Sequence, residues 1–141
     1  MADVDGAGII YYGSPLRWSE TLFGDWLEQL GHPISTMLAS GEATPVVNLG
    51  VTYRSMLRLD DHCRLQLAPA AVTTNSFTLR CSIWGPRTDQ TAVDVLVTHA
   101  YVTYRRLDPT DAPRVEKRAL PSWLANALDA SGTNKEEGDH L

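Results

Sequence analysis

Apolar positions repeat at two different periods along the chain, and the change of period divides it into two parts. From Ser14 to Gly31 the repeat is helical: Leu16, Phe23, Leu27 and Leu30 share one face, flanked by Leu22 and Trp26. Ser14 is placed to cap this helix, Pro15 suits its first turn, and Gly31 ends it just before Pro33. Glu20 falls on the same apolar face, an unusual place for a carboxylate. Gly24 costs about 1 kcal/mol against alanine in mid-helix, and is expected to let a strand approach closely.

Beyond a loop through Ser40-Gly41 the period becomes two. Val47, Leu49, Val51 and Tyr53 form one alternating run, Cys63, Leu65 and Leu67 a second, and Phe77, Leu79, Cys81 and Ile83 a third. A fourth run, Val93 to Arg106, is apolar on both faces around Leu96, Val97, Ala100 and Val102. Asp60-Asp61, Thr74-Asn75 and Gly85-Pro86 mark turns. The pattern predicts an α+β domain: one long helix wrapped by a curved antiparallel sheet. A strand apolar on both faces calls for cover on its second side, so a partner subunit is expected. Residues 120–128 predict a short terminal helix anchored by Trp123 and Leu124. One domain is expected over residues 1–128, followed by a disordered tail over 129–141.

Composition narrows the function. The 141 residues carry a net charge of −5, with 43% hydrophobic and 21% charged residues, ordinary for a globular domain. No basic stripe is present, so nucleic acid is not an expected partner. No apolar run reaches the ~18 residues of a membrane span, and no leader precedes the first motif, so a cytoplasmic protein without membrane contact is expected. Cys63 and Cys81 are the only cysteines and read as buried free thiols. His32, His62, His99 and His140 lack ligand spacing, and no metal or other cofactor is expected. Asp60-Asp61-His62 reads as a solvated turn and His99 as a core residue.

The chemistry concentrates at the start of the chain. Asp5 is followed by Gly6-Ala7-Gly8-Ile9-Ile10-Tyr11-Tyr12 and then by the helix opening at Ser14-Pro15. One carboxylate, a glycine turn and the positive end of a helix are thus close together, an arrangement able to hold a carbonyl oxygen on backbone N–H groups. On residue types alone, Asp5 capping the turn is the better reading. Ser14 lacks any Gly-x-Ser-x-Gly context and is a cap rather than a nucleophile. Glu20 reads as an acid hydrogen-bonded to loop N–H groups that brace the turn.

Asp5-x-Ala7-Gly8-Ile9-Ile10-Tyr11-Tyr12, then Arg17-Trp18 within the helix, resembles the opening of the hotdog-fold acyl-CoA thioesterases of the 4-hydroxybenzoyl-CoA thioesterase family. Val51-x-Tyr53 through Leu57-Arg58-Leu59-Asp60-Asp61 resembles the family's second strand and the turn after it. The resemblance spans residues 3–128 and implies a hotdog fold, subunits paired sheet to sheet, and active sites at the interface of a homodimer or homotetramer. By motif position, Asp5 matches the catalytic aspartate, as nucleophile or as general base on water. Tyr12 matches the residue whose backbone N–H polarises the thioester carbonyl. Tyrosine rather than histidine at that position, with Arg17-Trp18, implies an aromatic acyl group such as a hydroxybenzoyl.

Tyr11 and Trp18 are the aromatic candidates for acyl binding. Arg105 and Arg106 are the candidates for the phosphates of the acyl-CoA substrate, among cations that also include Arg54, Arg58, Arg64, Arg80, Lys117 and Arg118. Only four residues precede Asp5 where the family carries an extra strand, which leaves either a truncated start or a sheet without that strand. Release of an acyl chain from an acyl carrier protein, and a non-catalytic acyl-CoA-binding hotdog protein, are the alternatives.

Overall fold

The computed structural model describes residues 13–58, 61–87, 89–105 and 108–133, with side chains through residue 130. Helix α1 (Ser14–Gln29) is followed by α2 (Ile34–Ala39) and a short strand β1 (Glu42–Ala43). Strands β2 (Val46–Tyr53), β3 (Arg64–Val72), β4 (Ser76–Trp84) and β5 (Val93–Ala100) come next, then β6 (Val102–Arg105), β7 (Arg114–Lys117) and helix α3 (Ser122–Thr133). Among the described residues all strand pairs are antiparallel. They form a four-stranded sheet in the order β2-β5-β4-β3 and a three-stranded sheet in the order β1-β6-β7. This is the α+β helix-on-sheet architecture that the periods predict.

The long helix ends as expected. Gly31 adopts a φ of +83°, its N–H bonds to Glu28 O at 3.0 Å, and the N–H of His32 reaches Leu27 O at 3.0 Å. These two bonds satisfy the last carbonyls in a Schellman arrangement, whose left-handed residue favours glycine. The start differs. Gly13 occupies the cap position and Ser14 is the first helical residue, fully buried with Pro15.

Alternation in β4 is as predicted. Phe77, Leu79, Cys81 and Ile83 are all buried, and with Leu65, Val93 and Val95 they form the inner face against α1. Thr74-Asn75 makes a two-residue turn in which Thr73 N–H bonds to Ser76 O at 2.8 Å. β3 continues past the predicted run, through Pro69, because it lies at the sheet edge, where a missing N–H is tolerated. The ladder shifts register between Pro69 and Ala71.

Three further expectations are corrected. The run from Val93 to Arg106 is not one strand: it breaks at Tyr101, whose N–H bonds to Asn75 O at 2.9 Å and whose carbonyl accepts Arg118 N–H at 3.1 Å. Losing the ladder there redirects the chain from one sheet to the other. The outer face of β5 is not apolar throughout, since Leu96 lies between Asp94 and Thr98. Thr98 bonds to Thr78 across the sheet at 2.8 Å, and Asp94 accepts from Ser82, Thr91 and Arg54. Burial alone would raise the Asp94 pKa, but these donors bring it below the usual carboxylate value. Finally, α3 runs through Thr133, past the expected end at Leu128; residues 134–141, like Asp60 of the predicted Asp60-Asp61 turn, lie outside the described residues.

Among the described residues no strand presses on Gly24. A β-carbon there would meet only Ile34 Cδ1, at 3.9 Å, an ordinary van der Waals distance. Gly24→Ala therefore fits without displacement and removes an unfavourable helix residue. It is expected to stabilise the fold by about 0.5–1 kcal/mol, read from the urea midpoint at unchanged slope.

Candidate active site

α1 presents two sides to the sheet. Trp18 and Leu22 turn toward a core cluster of Leu57, Leu65, Cys81, Ile83, Ala92, Val93 and Val95. Phe23 and Leu27 join a second cluster of Met37, Phe77, Leu79, Tyr101, Leu124 and Leu128. Between α1, α2 and the inner sheet lies an open cavity of about 550 Å³. Leu16, Ser19, Glu20 and Phe23 supply its α1 wall, α2 adds Ile34, Met37 and Leu38, and the sheet adds Leu49, Leu67, Leu79, Val97 and His99. Glu42 to Val46 close its side.

That geometry accounts for Glu20. The apolar stripe of α1 is core at Leu27 but cavity wall at Leu16, Glu20 and Phe23, so the exposed carboxylate stands at the rim. The turn that Glu20 is expected to brace, Gly6 to Tyr12, lies outside the described residues.

The polar groups of the wall are held firmly. His99 is 5% exposed and stacks on Phe23 (ring centroids 4.2 Å apart) and Phe77 (5.1 Å). Its Nδ1 lies 2.9 Å from Thr44 O. A carbonyl only accepts, so Nδ1 carries the proton and donates. Burial depresses the His99 pKa, partly opposed by that hydrogen bond, which keeps the ring neutral. Tyr101 donates its hydroxyl to the Glu42 carboxylate; burial first, then the carboxylate beside it, pushes the phenol up to about 12. Burial likewise raises the Cys81 thiol to about 11, so it is an inert core thiol. Both cysteines are free; Cys81 is buried as expected, whereas Cys63 is only partly so.

Gly41 makes the β1 wall possible. It has a φ of +76°, and a β-carbon would stand 2.8 Å from Tyr104 O. Its own carbonyl accepts the Tyr104 N–H at 2.8 Å. β1 is thereby held on β6, with Glu42 opposite Thr103.

Among the candidates named from sequence, Asp5, Tyr11, Tyr12 and Arg106 lie outside the described residues. Trp18 is partly buried in the second wall of α1 and does not line the cavity. Arg105 is exposed at the end of β6, opposite Arg114 of β7. His99, Glu42 and Tyr101 were not read as site residues. The one signal for them was polar character inside a strand or beside a glycine, too common to single them out. Among the described residues no cluster of three His, Cys, Asp or Glu side chains could hold a metal ion, and no helix is long and apolar enough to cross a membrane.

A helix seated on a curved antiparallel sheet, with an apolar cavity against the first half of that helix, defines the hotdog class that the opening motif implies. The family model described as Thioesterase superfamily matches residues 7–92. The chain belongs to that family and is a thioester hydrolase. It is 25% identical over 139 residues to a 1,4-dihydroxy-2-naphthoyl-CoA hydrolase of Thermosynechococcus vestitus, covering 96% of this chain and 90% of the relative. The fold is similar to that of a 1,4-dihydroxy-2-naphthoyl-CoA thioesterase from Synechocystis, with a TM-score of 0.75, 19% identity and coverage of 92% and 89% of the two chains. A gentisyl-coenzyme A thioesterase superposes with a TM-score of 0.68, at 19% identity and coverage of 90% and 92%.

A neutral, buried His99 links stability to pH. Its folded pKa lies below the 6.5 of a free histidine, so the unfolded chain binds the proton more readily. Its contribution is complete above pH 6.5 and is lost as pH falls through the lowered folded value. Asp94 and Asp61, lowered from 3.8, act only in a more acidic window. Urea midpoints are expected to fall from pH 7 toward pH 5, and less steeply in His99→Gln.

Proposed function

We propose that this thioesterase hydrolyses an aryl-CoA, releasing the free acid and coenzyme A, with the acyl group in the cavity beside α1. The cavity itself is the observation that carries this reading. It is mostly apolar, large enough for an aromatic ring system, and lies against the half of α1 nearest the Asp5 to Tyr12 motif. The substrate named for the Thermosynechococcus relative is likewise an aromatic acyl-CoA, and dihydroxynaphthoyl and related hydroxyaryl groups are the first to test.

In this reading the thioester carbonyl oxygen sits on backbone N–H groups near Tyr12, with the α1 dipole behind them. A thiolate is a good leaving group, so little more is needed than an activated nucleophile. Asp5 either attacks, giving an anhydride that water resolves, or takes a proton from the attacking water. Tyr11 is assigned to the acyl group by its place in the motif. Trp18, packed on the other side of α1, is assigned to holding the helix rather than to contacting substrate.

Arg105 and Arg106 are assigned to the phosphates. Arg105 and Arg114 are directly opposed on neighbouring strands, an unfavourable pairing of like charges that a bound anion would relieve. They lie two residues, about 7 Å at strand rise, beyond Thr103, which pairs with Glu42 at the cavity wall. A homodimer or homotetramer is proposed through the β2 edge, where Val46, Val47, Leu49 and Tyr53 are all exposed.

The carboxylates Glu20 and Glu42 at the cavity favour a second reading, because they repel a polyanionic coenzyme. In that case the substrate is an acyl chain on a carrier protein, which docks by its own surface. The two differ in how pantetheine thioesters compare with full CoA thioesters.

Asp5→Asn is expected to lower aryl-CoA turnover by about 10²-fold or more in a thiol-release assay. Turnover within a small factor of wild type would remove Asp5 from the chemistry. Arg105→Gln is expected to raise KM for a CoA thioester about three- to tenfold at low salt, equivalent to roughly 0.7–1.4 kcal/mol. KM for the matching pantetheine thioester should hardly change.

A further inference from the structure

Three side chains belong at once to the cavity wall and to a core cluster: Phe23, Met37 and Leu79. Leu124 and Leu128 of α3 lie in the same cluster and do not line the cavity. The three shared side chains are therefore the layer at which the cavity stops and solid core begins. Two of them are fixed. Phe23 is stacked on the His99 ring, and Leu79 sits in β4 between Pro69 of β3 and Val97 of β5. Met37 is the adjustable member. It is unbranched, with a soft thioether that fits irregular gaps, and it is the only buried side chain of the short helix α2.

α2 has other ties that hold it in place. The Tyr104 hydroxyl donates to Leu38 O at 2.6 Å, which fastens the helix to β6, and Ile34 rests against α1 beside Gly24. Gly31 and Gly41, both with positive φ, turn the chain into and out of it. Shortening residue 37 then leaves space at the end of the cavity, because surroundings held in this way relax only in part around a lost side chain. The reach of residue 37 thus measures how deep an acyl group can go.

We propose that Met37 is a specificity-determining residue that sets the length of acyl group the enzyme accepts. A group longer than the cavity meets the Met37 side chain, and the substrates are acyl groups whose apolar far end stops short of it. This deepens the aryl-CoA reading, in which the cavity holds the acyl group, and rests on it.

The test is kcat/KM for benzoyl-CoA and its 4-n-alkyl homologues, from methyl to octyl, each expressed relative to benzoyl-CoA for the same variant. In wild type the relative value is expected to fall by about tenfold or more within roughly two methylenes, where the chain begins to displace packed core. Alanine lacks the outer part of the methionine side chain, so in Met37→Ala the fall should come about two or three carbons later. Met37→Leu, which nearly conserves volume, should keep the wild-type position of the fall. A fall at the same length in wild type and Met37→Ala would overturn the role of Met37 and leave the aryl-CoA reading standing, as would a wild-type series with no fall at all. If no benzoyl thioester is turned over, the aryl-CoA reading itself fails, and this inference with it. Should Met37→Ala not fold, Met37→Val takes its place, with the fall expected about one carbon later; an unmoved fall overturns the proposal.

Discussion

The packing of α1 onto the inner face of the sheet is the constraint from which the rest of the structure follows. Phe23 meets Phe77 and His99 of the sheet, and Leu27 is completely buried behind them. These contacts fix where the helix lies along the sheet. Leu27 packs directly into the core, whereas an open cavity lies along Leu16, Ser19, Glu20 and Phe23. Phe23, Met37 and Leu79 belong both to the wall of that cavity and to the core. Core and cavity wall therefore share one apolar stripe of α1.

Polar atoms in such a wall must be satisfied or they destabilise the fold. The structure meets this need with groups brought from the β1 segment: Thr44 supplies a carbonyl to His99, and Glu42 takes the Tyr101 hydroxyl. Gly41, in a conformation that favours glycine, allows β1 to sit against β6 and deliver them. What holds the wall together also determines its chemistry. The Nδ1 proton of His99 and the Tyr101 hydroxyl are both spent on these internal bonds.

Much of the fold was legible in the chain because its strongest signals are local and periodic. The helical stripe of α1, the alternation of Phe77, Leu79, Cys81 and Ile83, and the turn at Thr74-Asn75 all lie where the sequence puts them. β1 and β7 were not legible, since two and four residues without an apolar rhythm become strands only by pairing with β6. The break at Tyr101 was hidden for the same reason: it depends on distant partners, Asn75 and Arg118. Glu20 was noticed as out of place, but only the separation of helix from sheet explains why a carboxylate is tolerated there.

The sequence by itself determined the class of the protein. The Asp5 motif is a contiguous string, and the family resemblance it carries is set by residue types a few positions apart. Period and turn residues then determined the helix and most strands, because those preferences act over one or two turns of chain. The tertiary structure alone decided which apolar residues became cavity and which core, and that His99, 55 residues from Thr44 along the chain, would be locked in one tautomer. Those outcomes depend on contacts between distant segments, which are not written in any short stretch of residues.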